Sequence, residues 1–309
     1  MDGFLNILKP RGVTSHDIVA VARRILREDR IGHLGTLDPL AVGVLPLAIG
    51  AYRRLAQYFL VEDKRYLAEF TFGLATDTGD TDGKVQADVD AGGISRDSVD
   101  AVLDRYRGLI MQAPPAFSAL KVGGRKMHEL AREGIVPGKK PREVMVHELS
   151  LVAWQGGRHP VGLFDMTVGR GTYVRSLAQS IGEELGCGAA VSYLLRARSG
   201  RFRLRDAVTL RQLREIRDAG ELERAFPDPL SVLPDYPTVR VLPHALKKIG
   251  HGVPLNSTDF EDDLPDSYRG RTVMAVFSEP GRGSSVVAVV RPKGPDKVVY
   301  EKVLYQENG

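Results

Sequence analysis

A single cysteine, Cys187, in a chain of 309 residues excludes an internal disulfide framework and any zinc site built from several thiolates. A reducing cytosol is the compartment such a chain implies. No apolar run approaches the length needed to span a bilayer, and the N-terminus MDGFLNILKPRG carries neither a basic leader before a long apolar stretch nor a cleavage signature. Secretion and membrane insertion are therefore not expected. Cofactor signatures are missing as well: there is no GxGxxG, no GxSxG, and the seven histidines show no paired metal-ligand spacing. Asp80, Asp82 and Gly83 have calcium-loop spacing, but Thr78 and Val89 stand where the first and last ligands belong. His128-Glu129 opens a zinc-protease motif whose second histidine position holds Arg132, and Gly79 to Lys84 is one residue short of a phosphate-cradling loop. Neither a metal nor an organic cofactor is expected.

What is present is an ordinary globular balance, 43% hydrophobic and 27% charged, sufficient for one large domain and a small one. Phe4 to Leu8 reads as a strand, and Ser15 as the N-cap of a helix with Ile18, Val21, Ala22, Ile25 and Leu26 on its apolar face. Tyr66, Ala68, Phe70 and Phe72 alternate with Leu67, Glu69 and Thr71, a half-buried strand pattern. Ser95 caps a second helix through Val99, Val102, Leu103 and Tyr106, and Val174, Leu177, Ala178, Ile181 and Leu185 mark a third. Strands are expected at 144–154, 162–168 and 189–198. The mixture predicts an α/β or α+β domain to about residue 225.

Pro227, Pro229, Pro234 and Pro237 break regular structure between Phe226 and Thr238, which suggests a connector and a domain boundary. Beyond it, Val273 to Phe277, Ser285 to Val290 and Val298 to Tyr300 are short β-rich runs separated by Gly and Pro turns, as in a small barrel or sandwich. The acidic stretch Asp259 to Asp266 reads as a solvated loop.

The most informative segment is GHLGTLDPLAVGVLPLAIG, residues 32 to 50, in which Asp38 is the only ionisable group after His33. Gly32, Gly35 and Gly43 permit backbone angles that other residues resist, and Pro39 fixes the chain after the carboxylate. Val44 to Ile49 suits a buried strand anchoring the loop. On these residues alone, Asp38 is equally a turn cap and a catalytic group.

Net charge is only +4, so the placement of basic residues matters more than their number. Lys121, Arg125, Lys126, Arg132, Lys139, Lys140 and Arg142 make a glycine-interspersed cationic arm suited to a phosphate backbone, or a merely solvated charged segment. Arg196, Arg198, Arg201, Arg203 and Arg205 alternate as on a strand, which would place them on one face.

Together these blocks carry a resemblance. Lys9-Pro-Arg-Gly-Val-Thr-Ser-His-Asp, Gly32-His-Leu-Gly-Thr-Leu-Asp-Pro-Leu-Ala-Val-Gly, Asp63-Lys-Arg-Tyr, Asp77-Thr-Gly-Asp, Pro114-Pro-Ala-Phe-Ser-Ala-Leu-Lys, Ala131-Arg-Glu-Gly, Gly171-Thr-Tyr-Val-Arg-Ser and Leu185-Gly-Cys-Gly-Ala resemble, in order, the motifs of TruB-type tRNA pseudouridine synthases. The similarity spans roughly residues 4 to 232. The region after it resembles, more weakly, the small RNA-binding PUA barrel, with Gly250-His-Gly-Val-Pro-Leu as its clearest piece. The resemblance implies an α+β fold with a mixed, largely antiparallel sheet flanked by helices. It implies a catalytic domain over 1–232, with a basic thumb insertion at about 121–142, and a PUA-like domain over 233–309.

It also implies an isomerase that converts uridine 55 in the T loop of tRNA to pseudouridine after flipping the base, without metal or cofactor. Asp38 becomes the nucleophile and Arg175 the cation paired with it; Tyr66 stacks on the target base, and Tyr173 and Leu194 line the uracil pocket. His33 contacts the RNA near the vacated stack, Asp80 is an RNA or active-site contact, and Lys9 supports the active-site loop. The implied partner is the T arm of tRNA, and the expected protein is a cytoplasmic monomer. Two alternatives are a noncatalytic tRNA-binding or folding protein, against which an intact Asp38, Tyr66 and Arg175 speaks, and the ribosomal RNA synthase of a guide-RNA particle. The latter usually carries longer flanking segments, whereas here the first block begins almost at once.

Overall fold

The computed structural model describes residues 1–115, 121–122, 125–126, 140–279, 283–294 and 297–305; for 121–122 and 125–126 it describes the backbone alone. The chain enters through β1 (Gly3–Lys9), α1 (Ser15–Leu26), β2 (Ile31–His33) and β3 (Val42–Ile49). It continues through β4 (Lys64–Phe72), the hairpin β5 (Leu74–Thr76) and β6 (Val85–Asp88), α2 (Arg96–Leu103), β7 (Gly108–Gln112) and the short pair β8 (Lys121–Val122) and β9 (Arg125–Lys126). Then follow β10 (Arg142–Gln155), β11 (Val161–Val168), α3 (Val174–Glu184), β12 (Ala189–Ser199), β13 (Phe202–Arg203) and α4 (Leu210–Asp218). The main sheet runs β1-β3-β12-β4-β11-β10-β7, with β2 also on β3 and β13 also on β12, and its pairs are antiparallel except for β12 with β3. This is the expected mixed α+β architecture with a largely antiparallel sheet.

The unbroken apolar run of β3 follows from burial on both faces. Leu45, Leu47 and Ile49 join one core with α1, α2 and α3, whereas Val44 and Ala48 join another with Phe4, Tyr52 and Phe59. β4 keeps the alternation read from the sequence, with Tyr66, Ala68, Phe70 and Phe72 buried.

The N-cap of α1 is Thr14 and not Ser15. Thr14 Oγ1 accepts from the Asp17 amide at 3.1 Å while Asp17 Oδ2 accepts from the Thr14 amide at 2.8 Å, a reciprocal box that Ser15 lacks the spacing to make. Ser15 instead turns inward to the loop after β2, described below. Gly32 likewise has no left-handed angle; it lies in β2, and the glycines of the segment with positive φ are Gly35, Gly43 and Gly50.

After the proline-rich segment, β14 (Thr238–Arg240), α5 (Pro243–Gly250), β15 (Val273–Glu279), β16 (Gly283–Gly294) and β17 (Lys297–Val303) build a four-stranded sheet in the order β14-β15-β16-β17. Single bridges, Val241 to Phe260 and Leu255 to Val298, continue the pairing beside β14 and β17. This sheet docks on the first part of the chain: Met274, Val286 and Val289 share a core with Phe4, Tyr52, Tyr58 and Phe202. Tyr52 Oη accepts from the Val286 amide at 2.8 Å, and Tyr58 Oη donates to Glu301 at 3.0 Å. The proline segment itself is packed, with Val232 and Leu233 buried. Most of the cationic arm, residues 123–124 and 127–139, lies outside the described residues.

Candidate active site

Five elements meet around a cleft of about 310 Å³: the loop between β2 and β3, the start of β4, the end of β11, the middle of β12 and the N-terminus of α3. Asp38, Tyr66, Tyr173, Arg175 and Leu194 all line it, together with Lys64, Leu60 and Arg196.

The cleft is organised by ion pairing at Arg175. As the second residue of α3, Arg175 places a cation where the helix macrodipole is already positive, an arrangement that calls for anionic partners. Its Nη2 lies 2.9 Å from Asp38 Oδ2, and its Nη1 lies 3.6 Å from Asp80 Oδ2 and donates to the Thr78 carbonyl at 2.7 Å. Arg175 is 5% exposed and Asp80 7%, so Asp80 stands behind the guanidinium and not at the cleft surface. Thr78 Oγ1 donates to Asp80 Oδ1 at 2.7 Å, which fixes that carboxylate in turn. Asp38 is the half-exposed member of the trio, its side chain 37% accessible.

Sequence reading left Asp38 alone in its loop; the fold surrounds that loop with donors. Arg196, 1% exposed, donates to the carbonyls of Val44 at 2.7 Å, Thr36 at 3.1 Å and Gly35 at 3.0 Å. Lys9, fully buried, donates to Ala41 at 2.6 Å, Pro10 at 2.9 Å and Pro39 at 3.4 Å. Ser15 Oγ donates to the Leu37 carbonyl at 3.1 Å and accepts from the Leu37 amide at 2.9 Å. Backbone carbonyls on both sides of Asp38 are thus held by side chains from three other elements. Such a loop is rigid by construction, because releasing it would strand buried polar groups at about 1–3 kcal/mol each.

Burial pushes Lys9 down to about 8, with the Asp38 charge acting in the opposite direction. Lys64 is pushed down to about 8 for the same first reason, helped by Arg196, while its ammonium caps the Leu60 and Glu62 carbonyls. The cleft thus sets the Arg175 guanidinium directly on a single half-exposed carboxylate, with Lys64 and Arg196 in the same lining.

The expected one-sided row of arginines on β12 does not form. A bulge between Arg196 and Arg198 and the end of β12 at Ser199 break the alternation; Arg196 turns inward, and Arg201, Arg203 and Arg205 fall beyond the strand. Gly43 makes the Arg196 clamp feasible. At φ +110° it lets β3 pass so close to β12 that a Cβ would sit 2.3 Å from the Arg196 carbonyl oxygen.

Tyr66 lies opposite Arg196 in the β4–β12 register and opposite Met166 in β11, 9% exposed at the cleft wall. Tyr173 is braced through its backbone: its amide donates to Gln112 Oε1 at 2.7 Å and its carbonyl accepts from Gln112 Nε2 at 3.0 Å. Gln112, buried at the end of β7, has no motif around it and was not a candidate from sequence. His33 lies outside the cleft lining. Its ring packs edge-on against His16 at 5.3 Å, burial holds it below the usual histidine range, and its Nδ1 has no hydrogen-bond partner among the described residues.

A mixed, largely antiparallel sheet of this order fits the fold expected of a pseudouridine synthase. Residues 23–174 match the TruB family pseudouridylate synthase (N terminal domain), and residues 175–230 match the tRNA pseudouridylate synthase B C-terminal domain. The chain belongs to the TruB family and is an isomerase. It is similar to the tRNA pseudouridine synthase B of Symbiobacterium thermophilum, 47% identical over 82% of this chain and 83% of that one. The protein of the same name from Synechocystis sp. is 39% identical over 98% of this chain and 99% of that one. Among solved structures, a chain of a Cbf5-Nop10-Gar1 complex matches 99% of this chain and 87% of its own length with a TM-score of 0.73 at 27% identity. A chain of an H/ACA RNP bound to a substrate RNA containing 2'-deoxyuridine matches 98% and 84% with a TM-score of 0.70 at 26% identity.

Proposed function

We propose that this protein converts uridine 55 in the T loop of tRNA to pseudouridine, with Asp38 as the nucleophile. The observation that carries the reading is the 2.9 Å pair between Arg175 and Asp38 at the mouth of a cleft lined by Tyr66, Tyr173 and Leu194. Isomerisation breaks the bond from N1 to C1′, forms one from C5 to C1′, removes the C5 proton and returns a proton to N1. No electrons leave the system, so the chemistry asks for a positioned nucleophile and proton handling. A carboxylate held by Arg175 and a clamped loop supplies the first.

The target base is stacked inside the RNA and must be flipped out. Stacking on Tyr66 returns about 1–3 kcal/mol of the cost, while Leu194 and Tyr173 close the uracil pocket. Tyr66 is also the group placed to assist loss of the C5 proton. His33, beside the cleft, contacts the RNA where the base has left; Asp80 acts through Arg175, and Lys9 through the loop. Residues 1–232 form the catalytic domain, with the arm near 121–142 as its basic insertion, mostly outside the described residues, and residues 233–309 form a PUA-like RNA-binding barrel. The enzyme works as a cytoplasmic monomer.

The guide-RNA particle alternative is less favoured, because similarity to the tRNA pseudouridine synthase B proteins reaches 47% identity against 27% for the particle structure. The test is to incubate an unmodified tRNA transcript with the protein and map pseudouridine by primer extension after carbodiimide treatment. A stop at the T-loop uridine is expected; a transcript left unmodified there overturns the assignment.

A further inference from the structure

Arg30, in the turn between α1 and β2, and the turn after β3 make a second cleft, of about 340 Å³, lined by Arg30, Gly50, Ala51, Arg53 and Arg54. Arg24 and Arg27 lie exposed on the adjoining end of α1. No motif in the sequence marks this corner, because its arginines come from two segments that meet only when β2 pairs with β3.

The acidic groups facing the corner are Asp2, Glu28 and Asp29. Glu28 is engaged by Arg30 and the N-terminal amine, and Asp2 accepts the Ala51 amide at 2.6 Å. Arg54 donates to the Val303 carbonyl at 2.6 Å, a neutral acceptor that leaves its charge uncompensated. Among the described residues, Arg24, Arg27 and Arg53 have no ion-pair partner at all. The corner is therefore net cationic and open.

Its position gives the charge a purpose. The Arg53 side chain lies along β2, its Nε 3.7 Å from where a Cβ on Gly32 would stand, one residue from His33 and its partnerless Nδ1. On the other side, Arg54 reaches β17 of the C-terminal sheet. A cationic path thus runs from the edge of the Asp38 loop to the junction with the C-terminal unit.

We propose that this corner binds the phosphodiester backbone of the RNA whose uridine enters the Asp38 cleft, with Arg53 as the principal contact. The inference rests on the reading of the substrate as RNA. Each guanidinium on a phosphate displaces a counterion, so binding strength there is written in its dependence on salt.

The experiment measures the Kd of an unmodified tRNA transcript over a KCl series for wild type, Arg53→Ala, Arg53→Lys and Arg53→Glu, with kcat at saturating transcript and thermal unfolding alongside. Arg53→Ala is expected to weaken binding about threefold to tenfold and to reduce the slope of log K against log salt by about 1, with Lys restoring most of both and Glu exceeding Ala. kcat and Tm stay at wild-type values. Affinity and slope unchanged in Arg53→Ala and Arg53→Glu, in an enzyme that still forms pseudouridine, overturn the corner as a backbone site. A wild-type protein that forms no pseudouridine overturns the functional reading instead, and the two failures are told apart by the turnover assay.

Discussion

Arg175 reaches Asp38 at 2.9 Å from the second position of a helix, with a second carboxylate, Asp80, 3.6 Å from its other terminal nitrogen. The guanidinium spends its fork geometry on three acceptors at once, the two carboxylates and the Thr78 carbonyl. An ammonium has no such fork. Arg175→Lys is therefore expected to keep the fold while lowering kcat on the order of 100-fold, the usual consequence of a reacting group misplaced by about 1 Å. Single-turnover kinetics on tRNA check this, and a kcat within twofold of wild type would count against a positioned pair.

The Arg196 clamp makes a different prediction, because Arg196 acts only through the loop. Arg196→Met leaves the Gly35, Thr36 and Val44 carbonyls without their donor and is expected to destabilise the protein by about 2–5 kcal/mol. Arg196→Lys, which satisfies fewer of them, should retain most stability yet lose kcat with little change in tRNA affinity. Urea unfolding read beside a split of kcat from KM separates the two effects.

Gly43→Ala tests the close approach of β3 to β12. A methyl at φ +110°, 2.3 Å from the Arg196 carbonyl oxygen, forces the strands apart. The expected cost is about 2–4 kcal/mol in unfolding free energy, from backbone strain together with loss of the clamp. A stable, fully active Gly43→Ala enzyme would mean that the loop does not need this contact.

Lys9 gives a pH dependence with a definite sign. Its folded value is about 8 against 10.5 unperturbed, chiefly through burial, so across that window the unfolded chain binds more protons and rising pH favours the folded state. Wild type should gain stability relative to Lys9→Met as pH rises from about 8 to 10. Denaturant titrations at several pH values measure the difference, and a flat one contradicts a buried, destabilised ammonium.

Much of this fold was legible because its strands follow simple periods. β4 alternates, β3 is an unbroken apolar run, and α3 repeats its apolar residues at helical spacing. The cleft residues Asp38, Tyr66, Tyr173, Arg175 and Leu194 converge as blocks far apart in sequence are brought together by β4, β12 and α3. What local pattern could not show was direction. Alternation alone puts Arg196 in a one-sided row, because it does not reveal a bulge or a strand end, and its clamp depends on Gly43, more than 150 residues away. Ser15 was assigned a cap because its type fits, although its hydroxyl is used by Leu37. Gln112 and the Arg53 corner left no mark at all, since each acquires its role only through tertiary pairing.

Asp38 is the residue on which the proposed chemistry turns. Unmodified tRNA is incubated with wild type and with Asp38→Asn, which preserves shape while removing the charge that faces Arg175, and pseudouridine at the T-loop uridine is quantified while tRNA affinity is measured in parallel. The expected result is complete modification by wild type and none by Asp38→Asn, with affinities that agree within a few-fold. Pseudouridine formed by Asp38→Asn at a rate near wild type would contradict the central claim.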